Sequence, residues 1–196
     1  MLAFLVVGAV LAIAAIATMR SYNRFVQQRQ LIDNSWSNVD TELTRRHDLV
    51  PNLVEVVKGY AAHERSTLES VVTARAAAVA ASGTGITQAG PENDLAQGVR
   101  RLLALIESYP DLRAAEHFLE LQAELSRTEN RIQAARRIYN GNVREYNQRT
   151  ETVPSVLIAQ AFGFTAAPYF EVDPILHETG APGVGLGNRP SATRHS

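Results

Sequence analysis

From Ala9 through Val50 the chain carries neither glycine nor proline, so nothing in that stretch forces a helix to stop. The stretch belongs to two solvents. Its beginning overlaps Met1–Met19, a segment with no charged side chain, no proline and one glycine. At ~1.5 Å per residue such a helix reaches about 28 Å, close to the hydrocarbon thickness of a bilayer. Leu2, Phe4, Leu5, Val6, Val7, Val10, Leu11, Ile13 and Ile16 each favour insertion by about 0.3–0.6 kcal/mol. Ala12-Ile13-Ala14 and Ala15-Ile16-Ala17 mimic cleavage sites, yet no basic region precedes the apolar run. A retained single-pass anchor over residues 1–19 is therefore expected rather than a cleaved leader. Arg20, Arg24 and Arg29 follow it. The positive-inside rule then puts the N-terminus outside the cell (inner) membrane and the rest of the chain in the cytoplasm.

Beyond the anchor, apolar residues recur every three or four positions at Tyr22, Phe25, Ile32, Trp36, Val39 and Leu43, with Arg29 occupying a seam position. Asp48-Leu49-Val50-Pro51 predicts a break or kink, because proline suits the first turn of a new helix. A second helix is expected from Pro51 to about Ala81, then a turn-rich linker from Ser82 to Pro91 and a third helix from about Glu92 to Ser108. The last long helix, about Leu112 to Thr150, has a heptad seam through Phe118, Leu121, Leu125, Thr128, Ile132, Ala135, Tyr139, Asn142 and Tyr146. Pro154–Phe164 predicts a short helix on the bundle end. The expected fold is thus all-α: an antiparallel, four-helix-bundle-like domain over residues 20–172, with the transmembrane helix continuing toward its first helix. Residues 173–196, rich in Gly, Pro, Ser and Thr, are expected to be a disordered tail.

With 19 Lys+Arg against 20 Asp+Glu, no net field draws nucleic acid to the chain. The absence of cysteine removes disulfides, thiol chemistry and Cys-ligated metal centres. His47-Asp48 beside Arg45-Arg46, together with His63-Glu64, are the groups an acid–base or metal site would use. Their spacing fits neither H-E-x-x-H nor Glu-x-x-His: none of His47, His63, His117, His177 and His195 has a carboxylate three residues earlier. No Walker loop or G-x-S-x-G elbow is present. Neither catalysis nor a cofactor or metal is expected.

Asn34-Ser35-Trp36-Ser37-Asn38-Val39-Asp40, Leu43-Thr44-Arg45-Arg46-His47-Asp48-Leu49-Val50-Pro51-Asn52-Leu53-Val54-Glu55 and Val57-Lys58-Gly59-Tyr60 with His63-Glu64 form an ordered chain of motifs. It continues through Tyr109-Pro110-Asp111-Leu112, Phe118-Leu119-Glu120-Leu121-Gln122, Thr128-Glu129-Asn130-Arg131-Ile132, Tyr139-Asn140, Tyr146-Asn147 and Phe162-Gly163-Phe164. Over residues 20–172 this order resembles the LemA family, with Ala115-Glu116-His117 as a departure from its pattern. The resemblance implies a bacterial single-pass membrane protein with a small extracellular N-terminus and a helical bundle, in a family without an established biochemical activity.

The expected role is an anchored interaction or scaffold module. Arg45, Arg46, His47, Asp48 and Asn52 form its candidate interaction surface at the end of the first helix, facing a protein partner or a second copy. Arg29, Glu64, Arg75 and Arg136 lie at or beside seams, where an unpartnered charge is costly, and Asn52, Asn130, Asn140 and Asn147 suit interhelical hydrogen bonds. Trp36 is expected in the core. One alternative is an enzyme or accessory subunit using Arg45, Arg46, His47 and Asp48 with His63 and Glu64. Another is an envelope-stress or lipid-responsive structural protein whose Phe162–Phe170 segment touches the bilayer.

Overall fold

The computed structural model describes residues 1–83 and 85–175. A single helix, α1, runs from Leu2 to Tyr60. Residues 2–19 are exposed and apolar apart from Thr18, while Phe25, Ile32, Val39, Leu43, Val50, Leu53 and Val57 supply buried core from the same helix. It is long and apolar enough to hold one candidate membrane span. Then come α2 (Arg65–Ala80), a 3₁₀ turn (Gly85–Gln88), α3 (Ala89–Ile106), α4 (Pro110–Ala114), α5 (Glu116–Glu151) and α6 (Ser155–Phe162).

The all-α, antiparallel arrangement is the expected one, with boundaries displaced: α3 begins at Ala89 inside the expected linker, and the last long helix, expected from about Leu112, begins at Glu116 after the separate α4. The break predicted at Asp48–Pro51 is absent: α1 passes through Pro51 and ends thirteen ångströms or so of rise later at Tyr60. Proline at 51 lacks the N–H that would bond the carbonyl of His47, which normally costs about 3 kcal/mol inside a helix. Here Arg75 Nε of α2 donates to that freed oxygen at 2.6 Å. A tertiary donor replaces the missing helical one. The reversal falls instead at Ala61–Glu64, and α2 starts at Arg65 rather than Pro51.

The long helices α1 and α5 lie antiparallel, as Trp36–Tyr139 at 5.3 Å and Phe25–Tyr146 at 5.9 Å record. Two apolar clusters fill the bundle. The one nearer the apolar segment joins Phe25, Ile32, Val39 and Leu43 to Ile132, Tyr139, Val143, Tyr146 and Phe170. The distal one joins Val50, Leu53 and Val57 to Leu68, Val71, Leu95, Val99, Leu102, Ile106, Phe118 and Leu125. At Gly98 α3 passes close to α2, where an added Cβ would make contact with a methyl of Val71 at 3.4 Å.

After α6 the chain runs extended back along the bundle through residues 164–175. Asp173–Ile175, expected in a disordered tail, are part of this strap, and Ile175 is buried in the distal cluster. The rest of the expected tail, residues 176–196, lies outside the described residues.

Candidate functional site

At the junction of the two clusters the bundle buries charge. Leu43 and Val50 set the α1 stripe, and Arg46 and His47, three and four residues past Leu43, necessarily share it. Arg46 is fully buried. It donates from Nη2 to Glu92 Oε2 on α3 and from Nη1 to Glu129 Oε1 on α5 at 3.1 Å. His47 Nε2 lies 2.7 Å from Glu92 Oε1, so the imidazole donates there. Gln88 Nε2 reaches the same oxygen at 3.4 Å, and Glu129 Oε2 accepts from the Ile175 backbone N–H at 3.1 Å. Burial alone would raise the Glu92 carboxyl. The His47 hydrogen bond and the charges of Arg46 and His47 outweigh it and hold Glu92 below the ordinary carboxylate range. One arginine thereby ties three helices together, and the carboxylate it holds also secures the strap.

The expected interaction surface is divided by this arrangement. Arg46 and His47 are interior, a correction to the reading of Arg45–His47 as a surface turn: with no helix end at 48–51, they stay on the buried face. Arg45 is half-buried and pairs with Glu42 at 3.4 Å, and only Asp48 and Asn52 are exposed. His63 and Glu64 lie in the reversal beyond Tyr60, about 20 Å of helix rise from His47. They share no site with it. Among the described residues no three His, Cys, Asp or Glu side chains gather as a metal-binding set.

The expected polar network is partly redistributed. Arg75 caps the His47 carbonyl. Arg136 Nη1 donates to Val172 O at 2.7 Å, and Asn140 pairs with both backbone groups of Phe170, each at 2.9 Å. Asn147 does the same to Ala167, at 2.8 and 2.7 Å. Arg29, placed on the seam by sequence, is exposed and has no ion pair or hydrogen bond among the described residues; Gln28 is the buried residue of that turn. Asn130 is likewise exposed and Glu64 half-buried, neither side chain having a hydrogen-bond or ion-pair partner among the described residues. Trp36 packs edge-on against Tyr139 and Phe170.

Sequence reasoning missed Glu92, Glu129 and the strap. Glu129 had a signal: it lies four residues past Leu125 and three before Ile132, on the α5 stripe. Glu92, in the first turn of α3, resembles an ordinary solvent-facing acidic residue at a helix start. The strap is gripped through its backbone by Asn140, Asn147, Arg136, Tyr139 (to Pro168 O, 3.0 Å) and Arg100 (to Pro174 O, 2.7 Å).

These features define a helical-bundle protein whose leading helix carries both a candidate membrane span and part of the core. The LemA family matches residues 35–184, and the chain belongs to that family. It is 26% identical over 198 residues to Magnetosome protein MamQ 2 of Paramagnetospirillum magneticum, covering 88% of this chain and 73% of that one. It is 25% identical over 192 residues to Magnetosome protein MamQ of Magnetospirillum gryphiswaldense, covering 84% and 71%. Protein LemA of Metamycoplasma hominis is 24% identical over 156 residues, covering 78% and 70%.

Proposed function

We propose that the protein is a non-enzymatic, membrane-anchored scaffold that presents a rigid helical bundle to a protein partner or to further copies of itself. The observation that carries this reading is the continuity of α1 from Leu2 to Tyr60. No linker separates the candidate span from the core, so an anchored span fixes the attitude of the whole bundle. The titratable cluster supports a structural role, because Arg46, Glu92, Glu129 and His47 are buried and occupied by one another. Among the polar groups open to a partner are those of the outer α1 face, Asp48, Asn52 and Glu55, well beyond the candidate span. The basic residues after the span favour an N-terminus outside the inner membrane and a cytoplasmic bundle.

Crosslinking in native membranes tests this reading, with photoreactive groups placed at positions 48 and 52. The full chain is compared with a deletion of residues 2–19 and with a flexible Gly/Ser linker of about ten residues inserted after Met19. The expected result is a discrete crosslinked species for the full chain, loss of membrane attachment and of that species on deletion, and a weakened crosslink with the linker. A full chain extracted from membranes by alkaline carbonate, or crosslinks unchanged by the deletion, overturns it. L2C and E55C, labelled by an impermeant thiol reagent, report the orientation without background, because the chain has no cysteine.

A further inference from the structure

Where α5 ends, the chain reverses at the end of the bundle from which the apolar segment of α1 emerges. From Thr152 through Phe170 this reversal carries no charged side chain. Within it Val153, Leu157 and Phe162 are 75%, 63% and 52% exposed. The end of α6 is positioned by aromatic packing. Phe162 meets Tyr22 edge-on at 5.0 Å, and Phe164 stacks on Phe25 at 4.7 Å, with Gly163 at φ +72° turning the chain between them. Tyr22 lies three residues past Met19, about 4.5 Å of helix rise. The end of α6 is thus held at the height where α1 leaves its apolar segment.

A second observation concerns charge at the same level. Arg20 and Arg24 of α1 and Arg149 of the last α5 turn have no ion pair among the described residues. The Arg149 guanidinium sits 5.8 Å over the Phe25 ring, and its Nε is buried without a hydrogen-bond partner. Burial, and then the like charge of Arg24, lower its pKa. Guanidinium groups of like sign, none of them ion-paired among the described residues and lying beside an exposed apolar patch, match the layered chemistry of a lipid surface: phosphates above, acyl chains below.

We propose that the α6 reversal is a second membrane contact, an interfacial foot. Val153, Leu157 and Phe162 enter the acyl boundary of an anionic bilayer, while Arg24 and Arg149 hold lipid phosphates. The foot sets the bundle against the surface at a defined rotation about α1, which a lone span does not. It rests on the reading of residues 2–19 as a bilayer span.

Nitroxide labels on the full chain in vesicles test the two separately. L157C reports the foot, A9C the span and E55C the distal bundle, in phosphatidylcholine with and without phosphatidylglycerol. The expected result is oxygen-dominated relaxation at position 9, nickel-chelate-dominated relaxation at position 55, and a several-fold higher oxygen-to-nickel ratio at 157 than at 55. That ratio rises further with phosphatidylglycerol, and R24Q/R149Q abolishes the rise. A label at 157 as open to nickel as that at 55, while position 9 is protected, overturns the foot and leaves the anchor standing. Nickel access at position 9 overturns both. A phosphatidylglycerol response that persists in R24Q/R149Q overturns phosphate holding by the arginines.

Discussion

Proline 51 and Arg75 form a matched pair across two helices, and a double-mutant cycle exposes it. R75A leaves the His47 carbonyl without its 2.6 Å donor and is expected to cost about 1.5–3 kcal/mol, the range for hydrogen bonds to charged groups. P51A restores a helical amide aimed at the same oxygen, so in that background the R75A loss shrinks; denaturant titration of the four proteins measures the coupling. Arg46→Met strands Glu92 and Glu129 without their cation and is expected to destabilise by about 3–5 kcal/mol. Acid dependence follows from Glu92. Its folded pKa lies below the ordinary 4.5, so its stabilisation is complete above that value and is lost as pH falls through the folded one. Unfolding midpoints measured between about pH 7 and pH 3 are expected to fall on the acid side of that window, and less steeply for E92Q. Sequence spacing held enough to bury Arg46 and His47, through Leu43 and Val50. What hid them was the proline, whose compensation comes from a residue 24 positions further along.

Among the elements, α1 and α5 were legible because long stripes of apolar side chains announce a helix face. The strap was not. Its hydrogen bonds are made by its own backbone with side chains of other elements, and the side chains it buries, Phe170, Val172 and Ile175, are too few and too unevenly spaced to announce an element. The grip was visible only from the other side, as Asn140 and Asn147 spaced seven apart on α5. Each offers its amide as both donor and acceptor, as a neighbouring β-strand would. N140A/N147A is expected to free the strap while leaving the helices folded. Hydrogen exchange at the Ala167 and Phe170 amides then accelerates strongly, with little change at Val39 or Ile132; equal acceleration everywhere would show that the strap is integral to the bundle rather than laid upon it. The α6 helix was anticipated from its apolar composition. Its location beside Tyr22 depends on how α5 and α1 align, which one-dimensional spacing does not encode.

At the scale of the whole molecule, the apolar segment and the bundle are joined in one helix yet share no packing, since residues 2–17 contribute nothing to the buried core. Deleting residues 2–19 is therefore expected to change the thermal midpoint of the bundle by no more than about 2 °C by circular dichroism, a small fraction of a typical domain's stability. A larger fall would reveal stabilising contacts beyond those of the isolated chain. With residues 2–19 in a bilayer, as proposed, the unbroken passage of α1 to the bundle tip makes the protein a lever. From Met19 to Tyr60 the arm is about 60 Å, so a change of about ten degrees in the slope of such a span, well inside the roughly 0–40° range of helix tilts, sweeps the far end through about 10 Å. On that anchoring, lipid thickness is converted into displacement in the aqueous phase, with no glycine or proline between Ala9 and Val50 to absorb it.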